Sequence, residues 1–422
     1  MIALGIHAEF HGFSSYTVEH RTTGNVQLLL PILVVESLWR ERLARTQAAE
    51  AEHRANEEAR LNEQSSSSAS LKVAPSPTTT PVDRNSFVTT FERGVHSRAK
   101  RRLHPVLRGD ELFRVMARVS TLRDRDYQKR ELDLVKKLET AGALREVVNP
   151  AFRNPQWQRS LRLLRASYPH FAAVTDFVAG RVALSARSRE PLKLPAMHLW
   201  GSPGLGKTLY ANDLAKALGA PMRRHSMENA QTTSLLLGGE RHWSTASHGL
   251  VFEQVCLGAV ANPVFLIDEL DKAPKGAQYD PLAPLHSLLE PVTAQRVRDA
   301  SLDIEFDASL VTFVATSNDP GKVPESLRSR FREFHIIPPT GAQALQVSEV
   351  VAVAAIRQLD VPGFASPDSA VCKQLAHLTP REIYQAVQDA VASAVGAGRR
   401  HLTLEDLPMG DVDSNGRPQT LH

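Results

Sequence analysis

The run Gly201-Ser202-Pro203-Gly204-Leu205-Gly206-Lys207-Thr208 is the strongest chemical signal in the sequence. It satisfies the pattern G-x-x-x-x-G-K-[ST] at every position, directly after the apolar segment Met197 to Trp200 and directly before a helical pattern that Gly219 closes. Glycines let a backbone curl until consecutive N–H groups point inward, and a helix starting there adds partial positive charge. Such a cradle suits the phosphates of a nucleoside triphosphate. Lys207 is placed to reach the β- and γ-phosphates, and the Thr208 hydroxyl to bind Mg2+.

A second signal is Val264 to Ile267, an apolar run read as a buried parallel strand that ends in Asp268-Glu269. Carboxylates at the C-terminal end of a central strand stand where α/β sheets place ligands. Asp268 is expected to hold Mg2+ through water, and Glu269 to orient and deprotonate the attacking water. A third is the apolar strand Leu310 to Ala315, followed by Thr316-Ser317-Asn318. The Asn318 amide is placed to hydrogen-bond the γ-phosphate or the lytic water. Leu327 to Arg332 then supplies arginines, and one arginine can stabilise a transferring phosphoryl group across a subunit boundary. Arg330, just before Phe331, is the first choice, and Arg328 the second. ATP and Mg2+ are the expected ligands, and Mg-dependent ATP hydrolysis the expected reaction.

These residues need a scaffold, and the surrounding pattern describes one. A helix over Phe171 to Leu184 leads to a strand ending at Trp200, and strand and helix patterns alternate as far as Ile337. That alternation predicts an α/β fold, a parallel sheet flanked by helices of the P-loop NTPase kind. From Gly341 to Gly398 the pattern is purely helical, which predicts a small all-α lid. Thr379-Pro380-Arg381-Glu382 reads as a capping box with proline at the first helical position.

The expected divisions are a segment 1–63 with an exposed helical arm at 36–63, a Ser/Thr/Pro linker 64–85, and a basic, mainly helical region 86–168. The nucleotide-binding domain 169–338, the lid 339–408 and a tail 409–422 follow. The arm carries Glu36/Arg40, Glu41/Arg45 and Glu50/Arg54 at helix-stabilising spacing but no heptad seam. The linker is too poor in apolar residues to offset chain entropy. Residues 1–30 carry little structural signal.

Composition narrows the classes. The two cysteines, Cys256 and Cys372, lie far apart, which excludes a disulfide framework and a cysteine zinc site. The longest apolar run, Leu28 to Val35, is interrupted by Pro31 and too short to span a bilayer. The first twenty residues hold no Lys or Arg, unlike a signal peptide. A cytoplasmic protein with no membrane partner is expected. The first 200 residues carry 31 Lys and Arg against 21 Asp and Glu, and the remainder 19 against 25. The basic half is either a solvated helical surface or an attraction for nucleic acid or an acidic protein. No zinc-finger, RNA-binding or helix-turn-helix signature accompanies it.

Taken together, GSPGLGKT, NPVFLIDELDKA (Asn262 to Ala273), YDPLAPLHSLLEP (Tyr279 to Pro291), VTFVATSN (Val311 to Asn318) and VPESLRSRF resemble the AAA+ ATPases. Within them the sequence is similar to the ATPase module of Lon proteases, over about residues 170–400. The resemblance implies that Asn318 responds to the γ-phosphate, that Arg330 is an arginine finger, and that Arg381 of the lid contacts phosphates. It places Trp243, in Gly238 to Thr245, on the aromatic position of a pore loop that grips a translocating polypeptide; Ser244 stands where an aliphatic residue is usual. It also implies a ring, a homo-hexamer, acting on a protein client. No Lys follows Lys373, so a Ser-Lys dyad beyond the lid is not expected, nor is peptidase activity. A protein remodeller is the leading expectation, and a nucleic-acid-associated ATPase the alternative.

Overall fold

The computed structural model describes residues 2–10, 13–20, 24–31, 83–95, 102–121, 125–188, 190–229, 234–239, 247–274 and 280–407. The expected arm at 36–63, most of the expected linker, the tail from 409 and Trp243 lie outside them. The chain forms two compact units, Met1–Thr80 and Pro81–His422.

In the first unit, β1 (Ile2–Phe10), β2 (Phe13–His20) and β3 (Gly24–Pro31) form an antiparallel meander in that order. The register of the second hairpin runs from His20↔Gly24 to Phe13↔Pro31 without a break, whereas the first is interrupted between Ala3 and Gly5 and between Ile6 and Glu9. This sheet was not expected from the sequence. Its aromatic and β-branched residues suit strands, but the irregular first hairpin blurs the two-residue alternation that announces one.

The second unit is organised by a five-stranded sheet, ordered β12-β6-β11-β8-β7 and parallel throughout. Its strands are β6 (Met197–Trp200), β7 (Met222–Ser226), β8 (Val264–Asp268), β11 (Thr312–Ser317) and β12 (Arg332–His335). A small hairpin, β9 (Val297–Asp299) with β10 (Ile304–Phe306), and a short pair, β4 (Leu103–Pro105) with β5 (Leu144–Glu146), lie outside it.

Every residue of β8 and β11 is buried, as expected of strands covered on both faces. Alternate side chains serve different cores. Val264, Leu266 and Val314 join one face with Val174, Val178, Tyr210 and Leu214. Phe265, Ile267, Phe313 and Ala315 join the other with Phe87, Leu112, Val115 and Leu138.

That second core draws on residues from both sides of the expected division at 168/169. The helices α1 (Arg84–Phe91), α2 (Gly109–Val119) and α3 (Arg125–Ala141) read correctly as helical. Their apolar faces, however, cover one face of the central sheet, so the packing runs across the boundary. Arg145 fastens the two regions. Buried among apolar neighbours, its guanidinium donates to the carbonyls of Ala141, Gly142 and Leu144 and to that of Cys256.

Two further helices, α4 (Trp157–Ser167) and α5 (Ala172–Arg187), cover the opposite face together with α6 (Lys207–Leu218). The lid comprises α7 (Ala342–Leu359), α8 (Ser369–Leu375) and α9 (Pro380–Gly396) around a separate core. Thr379 caps α9 in the expected capping box with Glu382. Among the described residues, no helix is long and apolar enough to cross a membrane.

Candidate nucleotide site

Three neighbouring strands deliver the candidate residues to one end of the sheet. β6 runs into the phosphate loop, β8 ends at Asp268, and β11 ends one residue before Asn318. The register pairs Trp200 with Ser317 and Ile267 with Ala315, so the three ends lie side by side.

The loop from Gly201 to Gly206 leads into α6 at Lys207. At Gly201 a Cβ would fall 2.2 Å from the Ile336 carbonyl oxygen, so the backbone can pass there only without a side chain. Gly204 is left-handed (φ 81), and a Cβ there would press on the Thr379 hydroxyl at 3.0 Å. The start of α9 in the lid thus lies directly against the loop. The Arg381 amide also donates to the Gly204 carbonyl at 3.3 Å.

Lys207 is buried, and its ammonium donates to the carbonyls of Gly201 at 2.7 Å and Ser202 at 2.9 Å and to Asn318 Oδ1 at 2.9 Å. Burial pushes the ammonium down to about 8, while Asp271 and Asp268 act in the opposite direction. An anion arriving in the loop would reverse that penalty.

Asp268 is almost fully buried at the end of β8. Its carboxylate accepts from the Thr208 hydroxyl at 3.0 and 3.2 Å, from the Thr316 hydroxyl, and from Arg224 Nε at 2.8 Å. Arg224 Nη2 adds a contact at 2.6 Å. The Thr316 hydroxyl has a double role, since it also accepts from the Glu269 amide at 3.1 Å.

Glu269 holds a left-handed backbone (φ 57), uncommon for a residue with a Cβ. Its carboxylate pairs with Lys272 at 2.9 Å. Asp271 accepts from the backbone amides of Asn318 and Asp319 at 3.2 and 3.1 Å, which fixes the backbone that follows β11.

The residues fit the expected ligands. The loop presents a glycine cradle, a helix N-terminus and one ammonium. Thr208 and Asp268 supply a hydroxyl and a carboxylate already in contact, the donor set for a Mg2+ that keeps most of its water and takes phosphate oxygens. Among the described residues, no cluster of three or more His, Cys, Asp and Glu forms a separate metal site.

The structure therefore brings Gly201 to Thr208, Asp268, Glu269 and Asn318 together. Arg381 meets the same loop through its backbone, and its side chain is exposed. The other two arginines lie at the β12 edge. Arg328 forms a paired contact with Glu333 at 2.7 and 2.8 Å. Arg330 donates to the Ser326 carbonyl and approaches Glu290 at 3.8 Å, while its Nε is buried without a hydrogen-bond partner.

Sequence reasoning missed Arg224, Thr316, Asp271 and Lys272. Asp271 and Lys272 stand in the same DELDK run as the expected carboxylates, so proximity was a usable signal. Nothing local announces Arg224, which reaches Asp268 only because β7 is the neighbour of β8.

Comparison with known proteins agrees with this geometry. Residues 197–339 match the family model described as ATPase family associated with various cellular activities (AAA). The chain is 31% identical to Lon protease of Neorickettsia sennetsu over 190 residues, which is 45% of this chain and 23% of that protein. It is 33% identical to Lon protease 1 of Bacillus subtilis over 186 residues, 44% of this chain and 24% of that protein. The chain thus spans about a quarter of the length of these relatives. Among solved structures, the RuvB Holliday junction branch migration motor of Thermotoga maritima matches with a TM-score of 0.40 and 19% identity, covering 59% of this chain and 72% of that one. Residues 197–339 thus match the AAA family model, and the chain is similar to part of the Lon proteases.

Proposed function

We propose that this protein hydrolyses Mg-ATP and uses the cycle, in a homo-hexameric ring, to remodel a protein client in the cytoplasm. The observation that carries the reading is the meeting of Lys207 with Asn318 and of Thr208 with Asp268, beside Glu269, at the ends of three adjacent parallel strands.

The loop amides and Lys207 bind the β- and γ-phosphates in place of the internal carbonyls that Lys207 now contacts. Asn318 turns from Lys207 toward the γ-phosphate or the attacking water. Glu269 takes the proton of that water, which requires its carboxylate to leave Lys272. Thr208, and Asp268 through water, would hold Mg2+, which would supply charge neutralisation at the phosphate oxygens. Arg224 must release or share the Asp268 carboxylate when the metal is held.

An arginine from a neighbouring subunit completes the charge stabilisation, and such a residue contributes on the order of 10³–10⁵ in rate. Arg330 suits this role better than Arg328, because Arg328 already has both arms on a carboxylate. The Arg381 side chain reaches the phosphates from the lid. Trp243 is proposed to grip the client.

The remodelling reading is preferred to a nucleic-acid one because several arginines of the basic region are paired with carboxylates of this chain. Arg114 pairs with Glu111 and Asp303, Arg118 with Glu131, Arg153 with Glu146, and Arg165 with Asp176. Peptide-bond cleavage is not assigned to these residues.

The test is Glu269→Gln. Removing a positioned base lowers rate by about 10²–10⁴-fold. The variant is expected to keep ATP bound and lose phosphate release by that factor. Unchanged phosphate release overturns the assignment of Glu269, and absence of Mg-dependent ATP binding by the wild-type protein overturns the whole reading.

A further inference from the structure

His198 lies on β6, three residues before the phosphate loop, and its side chain is fully buried. On one side its Nε2 is 2.7 Å from Ser317 Oγ, at the end of β11 next to Asn318. On the other its Nδ1 is 3.1 Å from Glu333 Oε1 on β12. Glu333 in turn holds Arg328. The ring also packs 5.7 Å from Phe331, between Arg330 and Arg332.

The surroundings favour one direction for these bonds. The Arg328 guanidinium beside Glu333 holds its carboxyl below the usual range, so Glu333 is a carboxylate and can only accept. Burial favours the neutral imidazole at His198. Its one proton therefore sits on Nδ1, and Nε2 accepts from the Ser317 hydroxyl. All donors run toward Glu333: Ser317 to His198, His198 to Glu333, Arg328 to Glu333.

The order serine, histidine, acid is also that of a nucleophilic triad. Ser317 is 1% exposed, in a strand with a neighbour on each side, so no acyl substrate can reach its hydroxyl. The chain ends on a guanidinium of the segment that carries the proposed trans arginine. We propose that His198 is a positioning residue that ties the Asn318 end of β11 to the segment Glu325 to Arg332, so that nucleotide state sets the placement of Arg328 and Arg330. This rests on the ATPase reading above. The physical warrant is that breaking either link of His198 leaves its buried imidazole with an unpaired nitrogen, so the two strand ends are held to one arrangement.

The test uses the full-length protein with Ser317→Ala and, separately, His198→Phe. Hydrogen exchange over residues 325–335 is compared between the ADP state and an ATP state trapped by Glu269→Gln. In the parent the two states are expected to differ. In either linked variant the difference is expected to vanish, while affinity for a fluorescent ADP stays within about threefold and assembled ATPase falls about tenfold, the size of a coupling carried by such a network.

If His198→Phe does not fold, Ser317→Ala decides alone. Persistence of the exchange difference overturns the proposal. So does a uniform loss of ADP and ATP affinity that tracks a fall in Tm, which is the signature of packing alone. So does a Ser317 adduct with a fluorophosphonate. A parent that binds and splits ATP yet shows no difference at 325–335 overturns this inference and leaves the ATPase reading intact; a parent that binds no ATP overturns the latter.

Discussion

The central sheet and the lid are built from different side chains. β8 and β11 bury Phe265, Leu266, Ile267, Phe313 and Val314. The lid core holds Ala352, Ala355, Ala386, Ala390 and Ala394, with Val387, Val391 and Ile383 between them. A buried alanine removes far less apolar area from water than phenylalanine or leucine, so these five alanine positions contribute less to stability. With Val387, Val391 and Ile383, the residues Ile356, Val371, Leu375, Leu402 and Leu407 supply most of the lid core's apolar area. The lid meets the other domain at few polar points, Arg381 to Gly204 and Gln346 to Ala166. The proposed chemistry sits at the end of the sheet, and the lid packs against it at Gly204. Substitutions at the sheet end should therefore abolish nucleotide handling, and substitutions in the lid should retune it.

The severest way to break that comparison outside the catalytic base is Gly201→Ala. The added carbon would stand 2.2 Å from the Ile336 carbonyl, a backbone atom held by the Ile336 amide's bond to the Trp200 carbonyl. Neither side is a flexible side chain, so the loop or β12 must shift. We expect a loss of about 1–3 kcal/mol in chemical denaturation, the usual scale for overpacking, together with loss of detectable ADP binding. Normal binding with normal stability would show that the loop is less constrained by β12 than the structure shows.

Much of this site was legible because its residues are contiguous. The phosphate loop is eight consecutive residues, β8 is an unbroken apolar run, and the α9 cap lies within four residues. What was not legible depends on sheet order. Arg224 meets Asp268, and His198 bridges Ser317 and Glu333, only because β7 lies beside β8 and β6 between β11 and β12. The helices of residues 84–141 could be read from periodicity, but the surface that their apolar faces cover could not. Trp243 lies outside the described residues.

A milder test sharpens the contrast through pH. With its ammonium pushed down to about 8 against an ordinary 10.5, Lys207 in the folded protein loses its proton before the unfolded chain does. Two opposite trends follow. Its contribution to folding is fully present above 10.5 and is lost as pH falls through about 8. Nucleotide binding needs the charged form, so affinity should weaken about tenfold per unit once pH exceeds that value. Binding near pH 8 should also take up a proton, seen as a buffer-dependent heat in titration calorimetry. No proton uptake would mean that the ammonium is already fully charged in the free site.

The smallest expected effect lies at the cap of α9, where the lid meets the loop. The Thr379 hydroxyl accepts from the Glu382 amide at 3.4 Å, and the Glu382 carboxylate accepts from the Thr379 amide at 2.7 Å. Thr379→Ala removes the first bond and leaves the second, and loss of an N-cap costs about 1 kcal/mol. The same change withdraws the side chain that faces Gly204. If the lid is a lightly held closure, this variant should keep its phosphate-release rate at saturating ATP and bind ATP a few-fold more weakly. Hydrogen exchange should rise over the first turn of α9 and leave β8 and β11 unchanged. A comparable rise in exchange over β8 would mean that lid and sheet unfold as one body, and the division between a rigid chemical end and a compliant cover would fail.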